Sequence, residues 1–200
     1  MTIEDLGRAP FARVHAQMLA KVEEVRKSDR GGAVWFVEHD PVFTAGRGTK
    51  PDDLATEHVA VERGGKLTFH GPGQLVVYPI LKLQRHDARA WLAALEAFGI
   101  AICADVGLSA QASVDGTGVF VAGKKVASIG VAIRHWVSFH GIAINVAMDL
   151  APFHAIRPCG LAPQIMSDLA TQAGRPLTLA QVRDHARARV SLLVAAAGLP

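Results

Sequence analysis

Three places along the chain bring together residue types that can do chemistry. Residues 63–80 read RGGKLTFHGPGQLVVYPI, with four glycines inside 64–73 beside Arg63, Thr68, His70 and Pro72. Glycines of this kind expose backbone N–H groups and let a ligand approach with no Cβ in the way. The plainer alternative is a β-hairpin closed by a tight Gly-Pro-Gly turn. No GK[ST] follows and GxGxxG is absent, so a nucleotide-phosphate loop is unsupported.

The second place is Lys124-Lys125, at the head of a β-rich segment. If 125–133 is an unbroken strand, Lys125 shares a face with Ala127, Ile129, Val131 and Ile133, and Lys124 shares one with Ser128, Gly130 and Arg134. An ammonium on an apolar face either snorkels to water from the strand end or is desolvated and suited to acid–base work. The third place is Cys159, within Arg157-Pro158-Cys159-Gly160. Most lone cysteines are buried small hydrophobes, but turn formers and a neighbouring cation make an exposed, activatable thiol an equal alternative here. Cys103, in the apolar run 100–104, reads as a buried small hydrophobe.

A thiol at its reference pKa is only about 3% ionised at pH 7. Lowering that pKa by two units takes about 2.7 kcal/mol, which a nearby ammonium in a partly buried site can supply. Such a pair titrates jointly, so sequence leaves open which partner holds the proton. His70 or His140 could instead serve as base to a cysteine, and His140 also reads as a structural hydrogen-bonder. The nine histidines show no HExxH or paired metal spacing, so no metal site is expected.

The elements that must position these groups follow from periodicity. Phe11, Val14, Met18, Val22 and Val25 mark a helix over 11–27, starting after Pro10. Residues 33–39 read as a buried strand and 40–51 as a loop. Strands are expected at 58–62 and 74–81, joined through the glycine-dense connection. Asp87 can cap a helix with Trp91, Leu95 and Phe98 on its apolar face, closed by Gly99. Residues 119–121, 125–133 and 137–146 predict a β-meander. Thr178 and Gln181 form a capping-box pattern ahead of Val182, Ala186, Val190, Leu193 and Ala197 on one helical face. This order argues α+β with a mixed, largely antiparallel sheet and flanking helices.

The chain has 200 residues, 50% hydrophobic and 20% charged, with no linker or repeat, so one domain over 1–200 is expected. Two cysteines cannot build a disulfide framework, and a reducing cytoplasm fits. The acidic start is not a secretory signal, and no uncharged stretch spans a bilayer, so no membrane partner is expected. The net charge of +3 is spread thinly, which argues against a nucleic-acid partner.

Four blocks then stand together in order: RGGxxTFHGPGQLxxYPI at 63–80, KVASIG at 125–130, FHGIAINV at 139–146 and DLAPFHAIRPCG at 149–160. With these the chain resembles the lipoyl(octanoyl) transferases. The resemblance implies a biotin/lipoate protein ligase-like fold. It implies octanoyl transfer from octanoyl-acyl carrier protein to a lysine on lipoyl domains of 2-oxoacid dehydrogenases and on the glycine cleavage H protein. By position it makes Cys159 the nucleophile and Lys125 its activating partner. It also implies substrate contacts from Arg63, Gly64, Gly65, Lys66, Leu67, Thr68, Phe69 and His70, from Ser128, Ile129 and Gly130, and from Gly141, Ile142 and Ala143. No ATP, metal or other cofactor is implied beyond the carrier's phosphopantetheine. Phe120 departs from the family, where an indole is common, as does Lys66, where a neutral amide is common. Competing expectations are an ATP-dependent lipoate or biotin ligase, a thioesterase, and a non-catalytic module that binds lipoyl domains.

Overall fold

The computed structural model describes residues 1–28, 31–50, 57–113, 117–156 and 163–200. A mixed seven-stranded sheet runs in the order β1(Thr2–Ala9), β2(Gly32–His39), β6(Gln74–Lys82), β10(Val137–Asn145), β9(Lys124–Arg134), β8(Gly118–Val121), β7(Ala110–Ala112). Within this sheet, among the described residues, β1 and β2 pair in parallel and each other neighbouring pair is antiparallel, as the expected meander of β8, β9 and β10 requires. A second, small sheet holds β4(Val59–Ala60), β3(Val42–Ala45) and β5(Leu67–His70).

Alternation along the strands sorts side chains to two layers. Val34 and Phe36, Leu75 and Val77, and Ile142 and Ile144 face a core under α2(Ala88–Asp105), α4(Leu179–Ala188) and α5(Val190–Ala196). Trp35, Val37, Val76 and Tyr78 face α1(Phe11–Ser28), which buries the five residues its periodicity marked. A short helix, α3(Leu169–Ala173), precedes α4. Among the described residues no helix is long and apolar enough to cross a membrane.

The structure corrects several local expectations. The loop expected at 40–51 contains β3, and the glycine-dense connection contains β5, because these two short runs complete each other's hydrogen bonds. The strand expected at 58–62 shrinks to Val59–Ala60. The Gly-Pro-Gly turn exists, yet it is no hairpin: β5 and β6 lie in different sheets. Asp87 caps α2 as expected, accepting from the Arg89 and Ala90 N–H groups. However, Gly99 does not close that helix. A Cβ there would stand 2.7 Å from Val119 Cγ2 and 2.9 Å from Ile142 Cδ1, so Gly99 lets α2 press onto the sheet. Thr178 and Gln181 form the capping box, and the terminal helix breaks at Arg189 while keeping all five expected residues buried.

Trp91 anchors α2 to the sheet: its ring is buried and its Nε1–H donates to Ser138 Oγ at 2.6 Å. Trp91→Ala should cost about 3–5 kcal/mol in urea unfolding, whereas Leu192→Ala, at an exposed site, should change stability by under about 0.5 kcal/mol. Equal effects would show that α2 is not docked as described.

Candidate active site

A cavity of about 330 Å³ lies between the α1 face of the large sheet and the small sheet. That is enough for a small ligand. β9 contributes Lys125, Ser128, Ile129 and Gly130, and β10 contributes His140, Gly141, Ile142 and Ala143. These two stretches are register partners, with Gly130 opposite Gly141, Ile129 opposite Ile142 and Ser128 opposite Ala143. Arg63, Gly65, Lys66, Thr68 and His70 supply another wall, and Val76, Tyr78, Phe11, Thr117, Phe120 and Ile165 add to the lining.

Not every residue of the expected contact stretch reaches this space. β5 alternates, so Thr68 and His70 face the cavity while Leu67 and Phe69 pack into a separate cluster with Phe153, Ile156 and Met166. Gly64 uses its N–H to bind Val131 O at 2.9 Å. Arg63 lines the cavity but is chiefly a brace: it donates to Gly64 O, Lys66 O, Thr44 O and Thr44 Oγ1 at 2.7–3.1 Å.

Lys125 is only 2% exposed, and the reason differs from the expected strand alternation. Val119 pairs with Ala127 but Phe120 pairs with Lys125, so β9 carries an extra residue, Val126, in a β-bulge. The bulge turns Lys125 away from Ala127 and onto the cavity wall with Ser128 and Gly130. Its Nζ donates to Thr117 O at 3.0 Å and lies 5.7 Å from the centre of the Phe120 ring, a cation–π distance. Gly118 makes the room: at φ +151° it has no Cβ, which would lie 2.7 Å from Lys125 Cε. Lys124 is exposed and donates to Gln164 O.

Cys159, with Arg157 and Gly160, lies outside the described residues. The chain on either side is described. Ile156 is buried in the cluster around Phe153. Beyond Cys159, Ile165 lines the cavity, Met166 forms a β-bridge with Lys125, and Ser167 N–H donates to Lys125 O at 3.0 Å. The other thiol, Cys103, is buried, which pushes its pKa up to about 12 and keeps it inert.

Hydrogen-bond partners fix the tautomers of His70 and His39, and burial lowers the pKa of His39, His70 and His140. Gln74 Nε2 donates to Asn145 Oδ1 at 2.9 Å, so its Oε1 is the acceptor for His70 Nδ1–H at 2.7 Å. The His70 ring therefore lines the cavity with an unprotonated Nε2. Burial, with His39 nearby, brings its pKa down to about 3. His39 Nδ1 donates to Ala9 O, leaving Nε2 to accept the Tyr78 O–H at 2.9 Å. Burial lowers the pKa of His39 and raises that of Tyr78. His140 has φ +57°, and both it and His15 of α1 hydrogen-bond Glu62 Oε2, at 3.2 and 2.9 Å. Burial lowers the His140 pKa to about 4 against the pull of Glu62. Burial opposes ionisation of Glu62, but hydrogen bonds from His15, its own backbone and His140 bring it down to about 2.

Sequence reasoning missed Tyr78 and Thr117 as site residues, and it weighed His140 without its partners His15 and Glu62. Tyr78 was open to it, since strand alternation over 74–81 puts it with Val76. The other contacts are tertiary and left no local mark.

His70 and His140 bind protons in the unfolded chain near pH 6.5 but in the folded chain only near 3 and 4. Between those values the unfolded state holds more protons, so stability falls as pH falls. Between about pH 6 and pH 5 the unfolding free energy should drop by about 1–3 kcal/mol, and His70→Gln should remove part of that slope. A flat profile in urea titrations would contradict the buried neutral rings.

The lipoyl protein ligase A/B catalytic domain family matches residues 12–191. An octanoyltransferase from Pseudomonas entomophila is 41% identical over 194 residues, covering 94% of this chain and 89% of its own. Another, from a Geobacter species, is 41% identical over 186 residues, covering 90% and 88%. In three dimensions the chain is similar to a lipoate-protein ligase A bound with ATP, with a TM-score of 0.74 over 98% of this chain and 86% of that one. Identity there is 16%, so the likeness is one of fold. The family match spans every strand that lines the cavity together with the residues around Lys125, and the chain belongs to the lipoyl protein ligase A/B catalytic domain family.

Proposed function

We propose that this protein is an octanoyltransferase that carries an octanoyl group from octanoyl-acyl carrier protein to a lysine on lipoyl domains, through a thioester on Cys159. The observation that carries the reading is a buried lysine amine on the wall of a largely apolar cavity, in a chain about 41% identical to octanoyltransferases along most of its length. Chain geometry supports the choice of nucleophile. Cys159 is three residues from Ile156 and six from Ile165, a tether of at most about 11 and 21 Å. Ile165 lines the cavity beside the bridge from Met166 to Lys125.

In this reading the Cys159 thiolate attacks the octanoyl thioester and expels the carrier's phosphopantetheine thiol. The acceptor's amine then attacks the acyl-enzyme, and Lys125 moves the proton in each half. Thioester exchange is nearly isoenergetic and thioester-to-amide transfer runs downhill, so neither ATP nor metal is required for the transfer. Burying six methylenes of the acyl chain at about 0.8 kcal/mol each would give about 5 kcal/mol of binding. Gly130, Gly141 and Ala143 line the cavity in which the acyl chain would lie. The same reading covers residues 1–200 as one catalytic unit, acting in the cytoplasm on lipoyl domains of 2-oxoacid dehydrogenases and on the glycine cleavage H protein.

Mixing the protein with octanoyl-acyl carrier protein should add one octanoyl mass in intact-mass measurement, and Cys159→Ser should show none. Transfer to a lipoyl domain should vanish in Cys159→Ser and fall about 10²–10⁴-fold in Lys125→Met. Transfer at the parent rate by Cys159→Ser, or transfer that depends on ATP, would overturn the reading.

A further inference from the structure

The trio at Glu62 has a geometry that hydrogen bonding alone does not require. Its members come from three elements: His15 from α1, Glu62 from the segment after β4, and His140 from β10. His15 Nε2 and His140 Nε2 stand 2.9 and 3.2 Å from the same carboxylate oxygen, and one ligand atom from each residue lies within 4.8 Å of the others. A tetrahedral ion with bonds of about 2.0–2.1 Å holds its ligands roughly 3.3 Å apart. Small shifts of these side chains would therefore surround such an ion.

A second observation concerns the backbone. Ser138 and Ile142, on the alternate positions of β10, both face the α2 layer, Ser138 by accepting from Trp91. Alternation would send His140 the same way. Instead its φ of +57° turns the ring to the α1 side, where it stacks with His15 at 5.7 Å and with Phe139 at 5.2 Å. A left-handed non-glycine residue in mid-strand is strained and is held only by its surroundings. Side-chain exposures of 16% for His15 and 23% for Glu62 leave a way in, while His140, at 4%, closes the inner side.

We propose that His15 Nε2, Glu62 Oε2 and His140 Nε2 form a binding site for a divalent transition-metal ion of the zinc class, independent of the transferase reading. Binding takes both imidazoles in their Nδ1–H form, so that each Nε2 offers a lone pair. Three protein ligands leave at least one position for water, and His140 also lines the cavity, so the ion would stand at the cavity wall. The ligands are 47 and 78 positions apart in sequence, which is why no metal spacing was legible there.

The test uses the full chain carrying Cys159→Ser, which removes the reactive thiol as a competing ligand. Titration with Co²⁺ near neutral pH should give a visible ligand-field band that saturates at one ion per chain and is displaced by Zn²⁺. His15→Ala and Glu62→Gln, each checked for native circular dichroism, should weaken Co²⁺ binding at least about tenfold. His15→Ala changes a helix side chain and leaves the strained strand intact, so it reports on ligation if His140 variants misfold. Absence of the band, or Co²⁺ affinity in His15→Ala and Glu62→Gln unchanged from that of the Cys159→Ser chain, would reduce the trio to a hydrogen-bonded brace and overturn the proposal.

Discussion

Holding a lysine amine out of water is costly unless its charge and donors are met, and the structure around Lys125 is organised by that requirement. Thr117 O accepts from its Nζ, the Phe120 ring faces it, and Gly118 gives up a side chain to admit its stem. Each of these depends on one extra residue in β9. Without the bulge at Val126, strand alternation would drive Lys125 into the aliphatic core under α2; with it, the amine reaches the cavity and Val126 joins that core instead. A local irregularity in a strand thus decides which side of the sheet the amine reaches, as β-bulges beside active sites often re-aim a side chain.

The histidine and tyrosine rings around the cavity are kept neutral. His70, His39 and Tyr78 lie in or beside its wall, with burial holding the imidazoles deprotonated and the phenol protonated. Hydrogen bonds fix His70 and His39 in single tautomers. Arg63, the strongest cation nearby, spends its donors on backbone carbonyls and Thr44, locking the glycine loop. The lining combines apolar side chains with a few oriented polar atoms, which suits a ligand with a hydrocarbon body and one reactive end.

Much of this was legible in the sequence, for identifiable reasons. Long periodic elements such as α1 and the β8–β10 meander carry their pattern over many residues, and the two short stretches that the family resemblance named lie side by side as register partners on β9 and β10. The small sheet was not legible, because β3 and β5 are four residues each and acquire strand geometry only through one another. Gly99 looked like a stop because helices commonly end on glycine; its role is contact with Val119 and Ile142, a tertiary fact. Lys125 was singled out by strand parity, yet the parity was broken by the bulge. The residue was found, while the face assigned to it was the opposite one.

The central claim is that the Lys125 amine activates the Cys159 thiol, and the rate of Cys159 alkylation by iodoacetamide as a function of pH tests it most directly. Cys103 is silent in such an experiment, since burial holds its thiol protonated up to about pH 12. The account predicts a parent profile whose midpoint lies about one to two pH units below that of an ordinary thiol near 8.5, and a Lys125→Met profile that returns toward that value. Superimposable profiles for the two proteins would contradict it.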